Sequence, residues 1–263
     1  MNKTALITGA SSGIGAELAR CHAASGGNLV LTARRQDRLD RLKDELEGKY
    51  GIQVTVIAGD LTQPDTASKI YAQVKTKGIE IDYLINNAGF GGQGMFHQRK
   101  WESDLAMIQL NIVALAALTR LFLPDFVKRN HGRIMNVSSI ASLMPGPLQA
   151  VYFASKAFVT SFSNALYEEL RGTGVTVTAL LPGGTMTEFA HTAGLEKTKL
   201  FAKAVSAQKV AWKGYRGMLK GRLNIMAGLS PGRRLTMGLL PFVSKKMVLR
   251  VTRQLQEIET SAG

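Results

Sequence analysis

Tyr152 and Lys156 are four residues apart, so on a helix their side chains share one face. A free phenol, with a pKa of about 10, is a poor base near neutrality. A neighbouring ammonium favours the phenolate and lowers that pKa. The pair could then give a proton to a carbonyl oxygen, or take one from an alcohol. Taken alone, a Tyr and a Lys at this spacing are common on helices and carry little weight. Ser138 and Ser139 close an apolar run upstream, and a hydroxyl there could hold an oxygen that gains negative charge. Asn111 sits in the apolar stretch MIQLNIVAL. An unsatisfied amide in such a place is costly, so it must bond backbone or water.

A second group of residues suits a dinucleotide. The segment Thr8-Gly9-Ala10-Ser11-Ser12-Gly13-Ile14-Gly15 follows an apolar strand pattern and opens a helical one. Glycines there turn the chain tightly and bring its backbone close to a pyrophosphate at the helix N-terminus. The second strand pattern ends in Arg34-Arg35, with no carboxylate before Asp37. An acid at this point would bind a ribose 2′-hydroxyl, whereas arginine accommodates a 2′-phosphate, so NADP(H) is expected, with Arg34 as the primary contact. Asp60, followed by Leu61, is placed to accept from an adenine amino group or else to cap a helix. Asn86-Asn87-Ala88-Gly89 offers small residues and amides past which a cofactor could lie.

These groups need a scaffold that gathers them at one edge. Apolar runs at 4–8, 28–33, 54–59, 83–86, 133–138 and 175–181 read as buried strands, with helix-length intervals of 3.6-residue periodicity between them. Strands alternating with helices predict a parallel sheet covered on both faces by right-handed crossovers, a Rossmann-type doubly wound α/β fold in one domain. The 263 residues suit one such core. Beyond Pro182 the alternation degrades: a loop or lid over 183–203, a helix over 204–220, a short strand at 222–227, a break at SPGRR and a helix from about 242 to 258. On the 204–220 helix, Lys209, Lys213, Arg216 and Lys220 form a basic stripe, and Ala211, Trp212, Tyr215, Met218 and Leu219 an apolar one.

TGASSGIG at 8–15, NNAG at 86–89, Asn111, Ser139 and Tyr152-x-x-x-Lys156 together resemble the short-chain dehydrogenase/reductase family, in order and spacing, from residue 3 to about 188. The resemblance selects Ser139, which lies 13 residues before the tyrosine, and leaves Ser138 structural. It implies that Asn111, Ser139, Tyr152 and Lys156 are catalytic, with Asn111 in a proton relay from the lysine to solvent and Lys156 also on the nicotinamide ribose. It further implies that Pro182, Gly183, Thr185 and Thr187 hold the nicotinamide carboxamide, although position 185 usually carries an aliphatic residue. A core over 1–188 and a lid with a basic extension over 189–263 follow as parts of one domain. The family resemblance also implies pairing into a dimer or tetramer through the helices bearing Asn111 and Tyr152. Leu115, Leu118, Leu121, Phe158, Phe162 and Leu166 are the apolar candidates there.

Substrate choice is expected in 90–100, 140–150 and 183–245. Phe90, Met95, Phe96, Leu143, Met144, Leu148, Phe189 and Leu195 there favour a hydrophobic ketone or aldehyde. Residues 197–256 carry 14 Lys or Arg and no Asp or Glu, whereas the remainder balances 19 basic against 19 acidic residues. That asymmetry suggests an anionic partner, and peripheral membrane contact through 209–253 is the expectation it raises. Nucleic acid is disfavoured for want of a binding motif. No metal is expected: His22, His97, His131 and His191 lack ligand spacing, and Cys21 has no cysteine partner. Neither a signal peptide nor a stretch approaching a membrane span is read, which points to the cytoplasm, at most peripheral to a membrane. The rival reading is an NADP(H)-binding sensor or scaffold acting through the basic tail. A third, epimerisation or dehydration with a held nucleotide, suits the short C-terminal region less well.

Overall fold

The computed structural model describes residues 2–194 and 204–257. Seven parallel strands form one sheet in the order β3-β2-β1-β4-β5-β6-β9. They are β1 (Thr4–Thr8), β2 (Asn28–Thr32), β3 (Val54–Val56), β4 (Tyr83–Asn86), β5 (Gly132–Val137), β6 (Val175–Pro182) and β9 (Asn224–Ala227). Their side chains are buried almost throughout, as strands covered on both faces require. The strand order reverses between β1 and β4, and the carboxyl ends there open a crevice. The run expected over 54–59 is a strand only to Val56. Even so, Ile57 and Gly59 still donate to the carbonyls of Leu31 and Ala33, so the chain stays beside β2.

One face carries α1 (Gly13–Ala23), α2 (Gln36–Tyr50) and α8 (Ala207–Leu219), through Leu18, Leu39, Leu46, Val210, Tyr215 and Met218. His22 is buried there between the Tyr215 hydroxyl (2.9 Å) and the Lys3 carbonyl (3.0 Å), and burial lowers its pKa. It ties α1 to α8. The other face carries α3 (Thr66–Thr76), α5 (Leu115–Lys128) and α6 (Ala150–Glu169), with Ile70, Val74, Leu118, Phe122, Phe126 and Leu166 inward.

α5 continues α4 (Trp101–Ile108) through a π turn at Gln109–Ala114, so that Trp101–Lys128 is one helical rod of 28 residues. This corrects the expectation that no stretch approaches a membrane span, since by length and apolarity the rod does. The strand-and-helix alternation concealed it. Its Met107, Ala114, Leu118, Phe122 and Phe126 are buried in the protein, as in a core helix.

After β6 the chain forms β7 (Thr185–Met186) and α7 (Phe189–Ala193), and β7 pairs with β8 (Val205–Ser206) in a small second sheet. The rest of the expected 183–203 loop, including Leu195, lies outside the described residues. On α8, Ala211, Tyr215 and Met218 are buried as expected, but Trp212 and Leu219 are exposed. Trp212 lies instead under the Arg216 guanidinium, 4.6 Å from its ring centre. SPGRR is not a break. Ser230 caps α9 (Pro231–Leu239) by accepting from the Arg233 N–H, and Pro231 sits in the first turn, where its missing donor costs nothing. The last helix, α10, runs Lys245–Gln256, shorter than the expected 242–258, of which residue 258 lies outside the described residues.

Candidate active site

The turn after β1 brings backbone to the crevice in a way few side chains would permit. Gly9 and Gly13 have φ of +65° and +56°, the left-handed region that favours glycine. A Cβ on Gly15 would lie 2.3 Å from the Gly9 carbonyl oxygen. Gly15 therefore acts in packing and, unlike the other glycines of the turn, does not line the cavity. Ser12, at the N-cap of α1, makes no side-chain cap, and the first turn carries no acid. The helix thus begins with N–H groups that an anion could satisfy. Thr8 Oγ1 accepts from the N–H groups of Asn87 and Ala88, each at 2.9 Å. The Asn87 amide donates to the carbonyls of Thr8 and Gly9, which braces the turn and leaves its donor less free for a ligand.

At the end of β2 both arginines line the cavity, and it is Arg35 that reaches the glycine turn. Its guanidinium donates to the Ser11 and Ser12 hydroxyls at 3.0 Å and to Glu188 at 2.8 Å. Arg38 bonds the other oxygen of Glu188. The two cations pull the Glu188 carboxyl down to about 2. Arg34 is exposed and faces the cleft without a place in this cluster. Asp60 accepts from the Thr62 N–H and hydroxyl, at 3.0 and 2.9 Å, so its carboxylate shapes the loop rather than capping a helix. Leu61 lines the wall beside it.

Tyr152 and Lys156, one turn apart on α6, both reach the same cavity together with Ser139. Ser139 caps a short 3-10 turn, Ile140–Leu143, by accepting from the Ala141 N–H at 3.1 Å, and its hydroxyl acts on the Tyr152 phenol in favour of the ionised form. Ser138 also borders the cavity, but its hydroxyl turns to α6, donating to the Lys156 carbonyl (2.9 Å) and paired with Thr160. Burial pushes the Tyr152 phenol up to about 12, with Ser139 pulling the other way, and pushes Lys156 down to about 8. Lys156 stays close to the phenol, with its Nζ 5.9 Å from the centre of the Tyr152 ring. Its Nζ donates to the Val137 carbonyl at 2.9 Å, and desolvation dominates both groups.

Asn111 sits within the π turn, a distortion frequent at functional sites. Its amide donates to the Phe90 carbonyl and the Ser155 hydroxyl, both at 3.0 Å, and its oxygen accepts from the Phe90 N–H at 3.2 Å. Ser155 in turn donates to the Tyr152 carbonyl. The expected backbone bonds are thus present, while the amide stands behind the cavity wall. Gly89 packs between Asn111 and Lys156: a Cβ on it would lie 3.0 Å from Asn111 Oδ1 and 3.2 Å from Lys156 Nζ. Sequence reading missed Ser155, and also a buried chain in which Asn86 donates to Thr119 and Asn136, and Asn136 to Ser163. That chain ties β4 and β5 to α5 and α6. Polar residues inside apolar runs were its only signal.

The cavity holds about 930 Å³. Pro182, Gly183, Thr185 and Thr187 line it, and the Thr185 hydroxyl, where an aliphatic side chain is usual, is satisfied by the Gly183 carbonyl at 2.8 Å. Of the expected substrate residues Phe90, Met144 and Phe189 line it, and Phe189 packs 5.3 Å from the Tyr152 ring. Met95, Phe96, Leu143 and Leu148 do not, and Leu148 instead takes a left-handed φ of +68° at the entrance to α6. Phe153 and a wall from α9 and α10 replace them, the α10 part lying beyond the expected 183–245. The glycine cradle, the open helix N-terminus and the arginine pair fit a nicotinamide dinucleotide.

The profile of the short chain dehydrogenase family matches residues 3–198. The chain belongs to that family. It is 37% identical to a short chain dehydrogenase of Pseudocercospora fijiensis over 71% of this chain and 60% of that one. It is 34% identical to the very-long-chain 3-oxoacyl-CoA reductase of Homo sapiens over 72% and 62%, and 41% identical to a sulfoacetaldehyde reductase of Chromohalobacter salexigens over 72% and 75%. The matched part thus spans less than two thirds of the first two relatives. Among solved structures, a short-chain dehydrogenase from Sphingobium yanoikuyae in complex with NADPH superposes with a TM-score of 0.82 at 33% identity, covering 92% of this chain and 96% of that one. A bulky-bulky ketone specific alcohol dehydrogenase from Comamonas testosteroni gives 0.78 at 30%, covering 92% and 95%. A family structure from Burkholderia phymatum, at 25% identity, holds NAD.

Proposed function

We propose that the chain is an NADP(H)-dependent reductase of hydrophobic ketones or aldehydes. The observation that carries this reading is the joining, in one apolar-walled cavity, of Ser139, Tyr152 and Lys156 with a glycine turn flanked by Arg34 and Arg35. The backbone of Ser11–Ile14 and the start of α1 would hold the pyrophosphate, and the arginines a 2′-phosphate. Asp60, Leu61 and Ala88 would flank the adenosine side, and Pro182, Gly183, Thr185 and Thr187 the carboxamide. When bound, the reduced nicotinamide supplies a hydride to the carbonyl carbon. Ser139 Oγ and the Tyr152 hydroxyl hold the carbonyl oxygen, and Tyr152 gives it the proton. A phenol that burial keeps protonated suits that direction. The Lys156 ammonium offsets the phenolate left behind, and Asn111 positions the tyrosine through Ser155 and links the lysine toward solvent. Residues 189–263 act as lid and substrate wall of the same domain as 1–188.

The NADPH complex among the structural neighbours supports the cofactor reading, and relatives acting on very-long-chain 3-oxoacyl-CoA or bulky ketones support the substrate class. Oxidation of NADPH and NADH with long-chain, bulky and small anionic carbonyls tests it. Turnover with NADPH on the apolar substrates is expected, falling about 10²–10⁴-fold in Tyr152→Phe while NADPH binding persists. Preference for the small anionic aldehydes would overturn the substrate class. NADPH binding with no turnover on any carbonyl would favour the sensor.

A further inference from the structure

The wall contributed by α9 and α10 is unlike the rest of the cavity. Leu235 and Leu239 form one stripe, and Met247, Val251 and Leu255 another, each spaced by four residues. All five line the cavity that holds Tyr152, yet all are exposed, Leu235 at 68% and Met247 at 60%. Side chains that both line a cavity and meet solvent mark its mouth. Between the helices, at the Leu240–Phe242 turn, Phe242 projects with 87% of its surface exposed. On α10 it is the polar Thr252 and Gln256 that are buried, Thr252 against Met144, so the helix docks by polar residues and leaves its apolar ones outward.

Cations surround this apolar mouth. Residues 204–256 contain eleven Lys or Arg and no Asp or Glu. Lys213 of α8 feels the charges of Arg222 and Arg234, which lower its pKa after burial does, so α8 and α9 share one positive surface. Trp212, exposed beside Lys213, adds the amphipathic ring that favours a lipid interface. Arg253 pairs with Glu257; projecting apolar side chains amid the remaining excess of cations complement an anionic bilayer. A protein partner would have to supply acids around an aliphatic contact, whereas a bilayer of acidic lipids offers both continuously.

We propose that α9, the Phe242 turn and α10 dock on an anionic lipid surface, and that the apolar gap between the two helices is the port by which a membrane-dissolved carbonyl compound reaches Tyr152. The port rests on the reductase reading above; the docking does not. It also narrows the contact expected over 209–253. The basic stripe of α8 serves as its border, and residues 231–255 as its apolar centre.

Co-sedimentation of the full chain tests this, with vesicles of equal parts phosphatidylglycerol and phosphatidylcholine set against phosphatidylcholine alone. Binding is expected on the anionic vesicles only, weakening with salt. The double variant Lys245→Glu/Lys246→Glu should lose at least about tenfold in partitioning, and Phe242→Ser severalfold. Neither pair nor Phe242 lines the cavity, so NADPH-dependent turnover of a water-soluble carbonyl should be unchanged in both variants. A lipophilic ketone carried in anionic vesicles should be reduced faster than in neutral ones, and both variants should lose that advantage. Equal binding to both vesicle types, or none, overturns the docking. So does a variant that lowers the solution mass without changing vesicle binding, since the face would then join copies of the chain. Vesicle binding without turnover of any carbonyl leaves the docking standing and removes the reductase reading and its port.

Discussion

Burial moves the two central titrating groups in opposite directions. Tyr152 is held protonated up to about 12, and Lys156 loses its charge near 8. The phenol is therefore available as an acid throughout the neutral range, and it is the lysine that sets the alkaline limit. Once Lys156 discharges, the phenolate formed when Tyr152 gives up its proton loses its neighbouring cation and keeps only Ser139 in its favour. The kcat/KM for carbonyl reduction is expected to hold through neutral pH and to fall as pH rises past about 8, because that ratio follows the free enzyme's groups. Lys156→Arg keeps its charge at every working pH and should move this limb upward even if the rate drops. A pH–rate profile with the same limb in wild type and Lys156→Arg would remove the lysine from this role.

The β7–α7 segment does more than cover the cleft. Thr187 packs against Gly13, Glu188 bridges Arg35 and Arg38, and Phe189 leans on Tyr152. A carboxylate thus occupies Arg35, one of the two arginines proposed above to hold a 2′-phosphate. Glu188→Gln should free it and tighten NADPH by roughly two- to five-fold, the scale of a solvent-exposed ion pair. NADH, which lacks that phosphate, should change little. Fluorescence titration of both cofactors checks this, and an equal change for the two would show that Glu188 acts on the loop alone. Helix geometry matters in the same way at Asn111, where the π turn and the Phe90 bonds set the amide against Ser155 and so against the backbone of Tyr152.

At the scale of the molecule, two apolar surfaces stay exposed among the described residues. One is the mouth between α9 and α10. The other lies along the Trp101–Lys128 rod and α6. There Leu115, Leu118 and Leu166 turn inward, while Leu105, Val113, Phe158 and Tyr167 remain outside and Phe158 stacks on Phe162 at 5.6 Å. Assembly into dimers or tetramers is expected through this face. Val113→Arg with Phe158→Arg should shift sedimentation to a smaller species while leaving vesicle binding intact. An unchanged mass would place the interface elsewhere.

Much of this protein was legible in its sequence because the signals are local. Strands buried on both faces read as apolar runs, a left-handed turn demands glycine, and one helical turn sets Tyr152 over Lys156 whatever lies around them. The sheet and the cofactor edge follow from such patterns, while the grouping of Ser139 with Tyr152 and Lys156 came from the family resemblance. The tertiary structure alone decided whatever depends on neighbours distant in the chain. Arg35 joins Glu188, which approaches from 153 residues away, while Arg34 stays exposed in the cleft. Burial raises the Tyr152 pKa, a desolvation effect that the spacing of Tyr152 and Lys156 cannot express. The tail's charge was plain from its composition, but only packing shows that its apolar stripes open into the cavity of Tyr152, since helical periodicity records which residues share a face and not what that face meets.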